Sequence, residues 1–517
     1  MKTLQLLLFS LLLCGTASAA VPSSINNDDS CDVKVGPAAT LLLPYFEVDT
    51  EGTSGQTTLF TITNVTRYPQ IAHVTLWSDW AYPMMTFNVF LTGYDVQAIN
   101  LADILIRGII APPSGTSSAT KPGTLSASTN PNIRSPLDCG NIPGSVPASI
   151  IAAVREAFTI GVLNFGPGTG ACSTVGGVHA DAIGYATIDV VASCTTRMPS
   201  DPNYYTTDLL FDNVLVGDYQ QIGAGPAGTG LRGTGAVGSP MVHIRAVPEG
   251  GGAGSNVGTS LPYTFYDRYT PSATRTIDRR QPLPSTFAAR FIQGGTNAFA
   301  TDLTIWREGF TGSGASCASH ANNSSMTFGE IVRFDEHENA FAQACSSSAS
   351  PVEPCTRSLP ATSSTNWQSD VYPFLNGTDV GGWLYLNLNN GGSLTYSVTK
   401  DIGGVPGPTS ARTSLAPIGS TTTFGPRPSQ NWVTVTMFGN LGGNHMVAEF
   451  DAASLGNGCT PAAFRATADP APAFNSGVLD SAVPVGPAGG VFVCPPGTTL
   501  TDGTTTLCTG TNVNPIP

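Results

Sequence analysis

Three short groups of residues have the types and spacing for chemistry. Trp77, Asp79, Trp80 and Tyr82 fall within six positions. Indole and phenol faces stack on sugar rings while a carboxylate accepts hydroxyl hydrogen bonds, so Asp79, Trp80 and Tyr82 are the candidate ligand-binding residues. The acidic turn Asp335-Glu336-His337-Glu338-Asn339 gathers oxygen donors of the kind calcium takes, which makes Asp335, Glu336 and Glu338 the candidate metal ligands. It lacks the alternating spacing of a calcium loop, and a solvated turn is the ordinary alternative. His337-Glu338 also falls short of a zinc-protease motif, because Phe341 stands where the second histidine belongs. The third group, Ile222-Gly223-Ala224-Gly225-Pro226-Ala227-Gly228, spells a dinucleotide fingerprint. The glycines of Thr229-Gly230-Leu231-Arg232-Gly233-Thr234-Gly235 follow in place of the required helix, so the segment reads as a glycine loop between strands.

Catalysis needs a nucleophile beside a base, a tuned carboxylate pair or an activated metal water. The histidines His73, His179, His243, His320, His337 and His445 are scattered without such company, and no GxSxG elbow exists. His73, inside a strand-like run, reads as a hydrogen-bonded strand histidine rather than a base. The chain contains no CxxC pair, so Cys317-Ala318-Ser319-His320 is a half-motif for zinc, and c-type haem attachment is excluded. No cofactor is expected beyond the calcium chemistry of the 335–339 turn.

The start of the chain reads as a secretory signal over residues 1–20: Lys2, an apolar run from Leu4 to Leu13, and the small-residue exit Ala17-Ser18-Ala19. No later apolar run approaches the roughly 18 residues of a membrane span. The full chain carries 22 basic and 35 acidic residues; without Lys2 the balance is 21 − 35 = −14. Such a surface repels phosphate backbones and argues against nucleic acid as a partner. Of the 11 cysteines one, Cys14, lies in the signal, and the ten that remain suit disulfides in an exported chain. The local pairings expected are Cys494 with Cys508, Cys172 with Cys194, and Cys345 with Cys355.

These residues must be held by strands. Thr40–Val48, Thr57–Asn64, Ile71–Trp80 and Thr86–Leu91 are rich in β-branched and aromatic residues, and in Thr58–Thr63 Phe60 and Ile62 alternate with Thr61 and Thr63. The pattern then returns. Thr57–Trp77 aligns without a gap on Thr286–Trp306 at an offset of 229, Met85-Thr86-Phe87 answers Met326-Thr327-Phe328, and Asp181–Val190 answers Asp379–Leu388. An internal duplication follows, with Trp77 and Trp306 as the buried plug of each core. The strand rhythm resembles the immunoglobulin-like β-sandwiches of bacterial surface proteins, a resemblance that implies a fold and not a function.

The expected fold is therefore all-β, with two related immunoglobulin-like β-sandwich units. The first spans 21–250, with a Ser/Thr/Pro/Gly-rich insertion at 112–136 and a helix near 147–158. Ser145 is its expected cap, and Ile150, Ile151, Val154 and Phe158 form its apolar side. A linker follows at 251–261, then a second unit at 262–455 and a disulfide-pinned appendage at 456–517. The expected function is that of a secreted, non-enzymatic structural or adhesive protein of the envelope or extracellular matrix, with extracellular polysaccharide or envelope proteins as partners. Carbohydrate binding is the alternative and a β-sandwich glycoside hydrolase or lyase the third reading. Asn64-Val65-Thr66 and Asn376-Gly377-Thr378 have the form of glycan acceptors.

Overall fold

A computed structural model describes residues 33–110 (without 34 and 53–54), 145–246 (without 165–170, 174, 200, 202 and 224–235), 264–266, 280–309, 323–343 (without 325, 328–329 and 339), 358–366, 381–388, 395–397, 421–423, 430–455 (without 442–443), 499–501 and 506–509. The expected signal, the 112–136 insertion, the linker, most of the glycine loop, Asn376-Gly377-Thr378, and Cys345, Cys355 and Cys494 lie outside those residues. Of the appendage they include a two-stranded hairpin, Thr499–Thr501 with Thr506–Thr509. The architecture is mostly β, built from antiparallel sheets, and no helix of the described residues is long and apolar enough to cross a membrane.

The first half forms β1 (Thr40–Val48), β2 (Thr57–Asn64), β3 (Gln70–Ser78), β4 (Pro83–Leu91), β5 (Val96–Asn100), helices α1 (Leu101–Leu105) and α2 (Ala148–Ile160), then β6 (Ala182–Val191), β7 (Leu215–Ile222), β8 (Ala236–Pro240) and β9 (Val242–Ile244). A five-stranded sheet runs β9-β1-β6-β3-β4, and a four-stranded sheet runs β8-β7-β2-β5. In β2 the expected alternation appears, with Phe60 and Ile62 buried and Thr61 and Thr63 half-buried. The two sheets enclose one apolar cluster that includes Leu41, Phe46, Phe60, Ile62, Val74, Leu76, Ile188 and Tyr219.

By contrast, β3 is buried along its whole length. Successive strand residues point to opposite faces, so both faces of its sheet must be covered. Ala72, Val74 and Leu76 join the first cluster, whereas Ile71 and Trp77 join a second one shared with the later half of the chain. Helix α2 lies against the first cluster through Val154, Ala157 and Phe158, and Phe158 meets Phe46 edge-on at 5.4 Å. Gly161, in the left-handed region at φ 69°, ends it. The start differs from expectation: Pro147 holds the cap position without a side-chain bond, Ser145 pairs instead with Ile109, and Ile150 is exposed.

The second half forms β10 (Thr286–Ile292), β11 (Ala300–Arg307), β12 (Glu330–Asp335), β13 (Ala340–Gln343), β14 (Thr362–Asn366), β15 (Gly381–Asn387), β16 (Asn431–Leu441), β17 (Asn444–Asp451) and β18 (Ala453–Ser454). Its sheets run β13-β12-β15-β10-β18 and β14-β11-β16-β17. The first aligned block lands on matching places. β2 lies between β5 and β7 as β10 lies between β15 and β18, and β3 lies between β4 and β6 as β11 lies between β14 and β16, all in the same chain order. The other two blocks do not. Asp181–Val190 falls on β6, beside β3, whereas its partner block falls on β15, beside β10. Met85–Phe87 is in β4, whereas Met326-Thr327 pairs with Ser358-Leu359 in a separate two-stranded sheet.

The tryptophans also play a different part from the one expected of them. Trp77 lies on the opposite face of β3 from Val74 and Leu76, and Trp306 on the opposite face of β11 from Leu303 and Ile305. Both are 1% exposed and both belong to the same cluster. Tyr185 lies between them, stacked on Trp77 at 5.6 Å and edge-on to Trp306 at 5.9 Å, while Phe265 stacks on the Trp306 ring at 5.7 Å. They join the two halves instead of plugging two separate cores. Burying aromatics of 150–250 Å² each gives such a junction a large apolar driving force.

Candidate functional site

The loop that leaves β3 carries the Asp79-Trp80-Tyr82 group. It is tight: Ser78 N–H donates to the Tyr82 carbonyl at 2.9 Å, Ala81 N–H donates to the Ser78 carbonyl at 3.0 Å, and Ala81 sits at φ 60°. The Ser78 hydroxyl donates to the Val175 carbonyl and accepts from the N–H groups of Trp80 and Tyr82. This geometry turns the Asp79 carboxylate toward the 175–179 segment. One of its oxygens accepts the Gly177 N–H at 2.9 Å, and the other meets Nε2 of His179 at 2.9 Å. The aspartate is 2% exposed in its side chain and the imidazole 26%. A Cβ on Gly177 would come within 2.6 Å of the imidazole and 2.8 Å of the carboxylate, so the close approach depends on glycine. The His179 backbone N–H in turn donates to the Thr159 carbonyl in the last turn of α2, at 2.7 Å.

A buried carboxylate holding a partly exposed imidazole is the orienting half of an acid–base device. The nearby Ser78 hydroxyl is fully buried and committed to the bonds just given. What the pair does within the fold is fasten the end of β3 to α2.

The neighbouring aromatics are enclosed as well. Tyr82 is 8% exposed and packs in the first apolar cluster, and burial raises its phenol above the usual value. Trp80 is half-buried, and its carbonyl accepts Nδ2 of Asn323 at 2.9 Å. Thr362 of β14 donates its N–H to the Asp79 carbonyl at 3.1 Å and its hydroxyl to the Pro44 carbonyl at 2.6 Å. Asp79, Trp80 and Tyr82 therefore come together, but at the seam between the halves and not on an open platform.

A buried polar cluster lies on the same seam. Asp189, fully buried on β6, accepts hydrogen bonds from Tyr204 at 2.6 Å, from Tyr266 at 2.7 Å and from the Thr40 hydroxyl, and Nε of Arg280 lies 3.6 Å away. Arg280, also fully buried, donates to Thr40 and, through Nη2, to the Leu210 carbonyl at 3.0 Å. Desolvation first, then the Asp189 charge, hold both the Tyr204 and the Tyr266 phenol well above their ordinary value. His73 faces Asp189 across the β3–β6 ladder, with Nδ1 2.9 Å from the Asn88 side-chain oxygen. Burial lowers its pKa, opposed by the Asn88 bond and the Asp189 charge. It is a hydrogen-bonded strand histidine, as its sequence context indicates. Nothing local in the sequence marks Asp189, which reads there only as a strand residue, or His179, which lies 100 positions from Asp79.

The acidic turn is ordered by its own groups. Asp335 accepts the His337 N–H at 2.8 Å, Glu338 sits at φ 64°, and Glu336 pairs with Arg290 at 2.8 Å. Among the described residues no three His, Cys, Asp or Glu side chains converge on a point that could hold a metal ion. Asn64 is fully buried, with its amide donating to the Tyr68 and Thr92 carbonyls, which leaves no access for a glycan.

Fold and site together define an antiparallel β protein with a buried polar cluster at an internal seam. No protein-family model matches the sequence, and no curated protein matches it.

Proposed function

We propose that the chain is an exported, non-enzymatic structural or adhesive protein of the cell envelope or extracellular matrix, built from two immunoglobulin-like β-sandwich units of common ancestry. The observation that carries this reading is the seam. An aromatic stack, a buried aspartate–arginine cluster and the Thr362–Asp79 and Thr362–Pro44 hydrogen bonds bind the two halves into one body, as suits a component that keeps its shape outside the cell. The matched pairing of β2–β3 and β10–β11 supports common ancestry. Cys172 and Cys194 suit disulfides, which an oxidising destination allows. They contact different apolar clusters, so the reading does not depend on their being bonded to each other.

The test is fractionation of cells producing the full chain, combined with assay of the purified protein against glycoside, ester and peptide substrate libraries. Retention with the envelope until denaturant is applied, or ordered assemblies in electron micrographs, together with no turnover, is the expected result. Hydrolysis of a library member at rates typical of enzymes would overturn it. Carbohydrate binding is the second reading, favoured by an exposed tryptophan, Trp383, on the outer face of the second five-stranded sheet.

A further inference from the structure

On that outer face three residues from three strands stand together. Arg290 of β10 and Trp383 of β15 are directly opposed in the ladder, and Phe334 of β12 opposes Trp383 from the other side. Trp383 is 42% exposed, and the Arg290 guanidinium lies 4.9 Å from its ring centroid. Nη2 of Arg290 donates to both carboxylate oxygens of Glu336, at 2.8 and 3.1 Å. To reach Arg290 the Glu336 side chain crosses β15 over Gly381, where a Cβ would come within 2.9 Å of the carboxylate. The glycine leaves room for an ion pair that holds its position beside the indole. In the internal alignment Trp383 answers Tyr185, which is buried in the seam; the two occupy strands with different neighbours, and Trp383 faces outward.

We propose that Trp383, Arg290 and Glu336 form a shallow binding platform for a neutral pyranose unit of an extended polysaccharide. The apolar C–H face of a pyranose ring lies on the indole, while its rim hydroxyls donate to the Glu336 carboxylate and accept from guanidinium N–H groups not used in the ion pair. The pair fixes both side chains before the ligand arrives, which lowers the ordering cost of binding. Its charges cancel, and the chain as a whole carries a net charge of −13, so the platform matches a neutral polyol and opposes an anionic one. A second protein is the poorer occupant. A stable protein interface buries about 800 Å² per partner around a desolvated apolar centre, and here, among the described residues, the indole is flanked by a solvated ion pair. The proposal rests on the adhesive reading and names the chemistry that adhesion would use.

The test is affinity electrophoresis of the full chain through native gels containing a soluble neutral polysaccharide (mixed-linkage β-glucan, xylan or galactomannan in turn), with alginate as the anionic control. Retardation by at least one neutral polymer and none by alginate is expected. Trp383→Ala should weaken the retardation about tenfold or more, Trp383→Phe should keep part of it, and Glu336→Gln should weaken it with an unchanged circular dichroism spectrum. Absence of retardation by every neutral polymer, equal retardation of Trp383→Ala, or binding only to envelope proteins overturns the platform. In those cases envelope retention without polysaccharide binding leaves the scaffold reading standing. Cleavage of a bound polysaccharide does the reverse, sparing the platform and ending the non-enzymatic reading.

Discussion

Replacing Asp189 by asparagine removes one charge from a fully buried cluster. The side chain is fully buried, as are Thr40, Tyr204, Tyr266 and Arg280 around it, and the carboxylate lies 3.6 Å from Nε of Arg280. At an effective dielectric near 20, two unit charges at that distance attract by roughly 4 to 5 kcal/mol. Breaking a buried pair from one side typically costs about 3–5 kcal/mol, because the partner is left charged and uncompensated. We therefore expect Asp189→Asn to lower the unfolding free energy by about 3–5 kcal/mol, measured as the shift in urea midpoint at constant slope. Arg280→Met should cost less, since the carboxylate keeps three hydroxyl donors. The double variant should lose less than the sum of the two single losses, as residues in one network do. A loss below about 1 kcal/mol for Asp189→Asn, or strict additivity in the double variant, would refute the reasoning, since an exposed pair contributes only that much.

The remaining expectations concern titration and the aromatic seam. Burial lowers the folded pKa of His73 and of His243, so the unfolded chain takes up protons near pH 6.5 that the folded chain refuses. Stability is thus fully present above about pH 6.5 and falls as the pH drops below it, and His73→Gln should flatten that fall in urea titrations between about pH 7 and 5. The phenols of Tyr204, Tyr219 and Tyr266 are raised well above 10.0 by burial, so the unfolded chain ionises first and stability should decline above about pH 10; Tyr204→Phe should reduce the decline. The Trp77 indole N–H donates to Thr187 at 2.9 Å, whereas the buried Trp306 indole N–H has no partner. Trp77→Phe should therefore destabilise by about 1 kcal/mol more than Trp306→Phe in thermal denaturation, and the opposite order would contradict the hydrogen-bond assignment.

Strand positions were largely legible because residue type and alternation declare them locally. Phe60 and Ile62 turn inward as their spacing indicates, and the helix lies within two residues of its expected place. What the sequence concealed is the second face of the sheet that contains β3. Trp77 reads as the plug of a local core and Tyr185 and Asp189 as ordinary strand residues, and only the arrival of Phe265, Tyr266, Arg280 and Trp306 from the later half shows the surface they share. The aromatic cluster around Trp80 suggests a surface platform because composition does not report exposure, and for the same reason nothing in the sequence marks Trp383 as exposed. Repeated letters misled in a further respect. The similar blocks fall on β6 and β15, whose different neighbours emerge only from the pairing.

The claim that the halves form one body through this seam is tested most directly by following urea unfolding simultaneously in near-ultraviolet circular dichroism, which reports the packed aromatics, and in far-ultraviolet circular dichroism, which reports the sheets. A shared core predicts one transition, with the two signals lost together and with Tyr185→Ala shifting both. Aromatic signal disappearing at low urea while the sheets then unfold in two separate steps would contradict it.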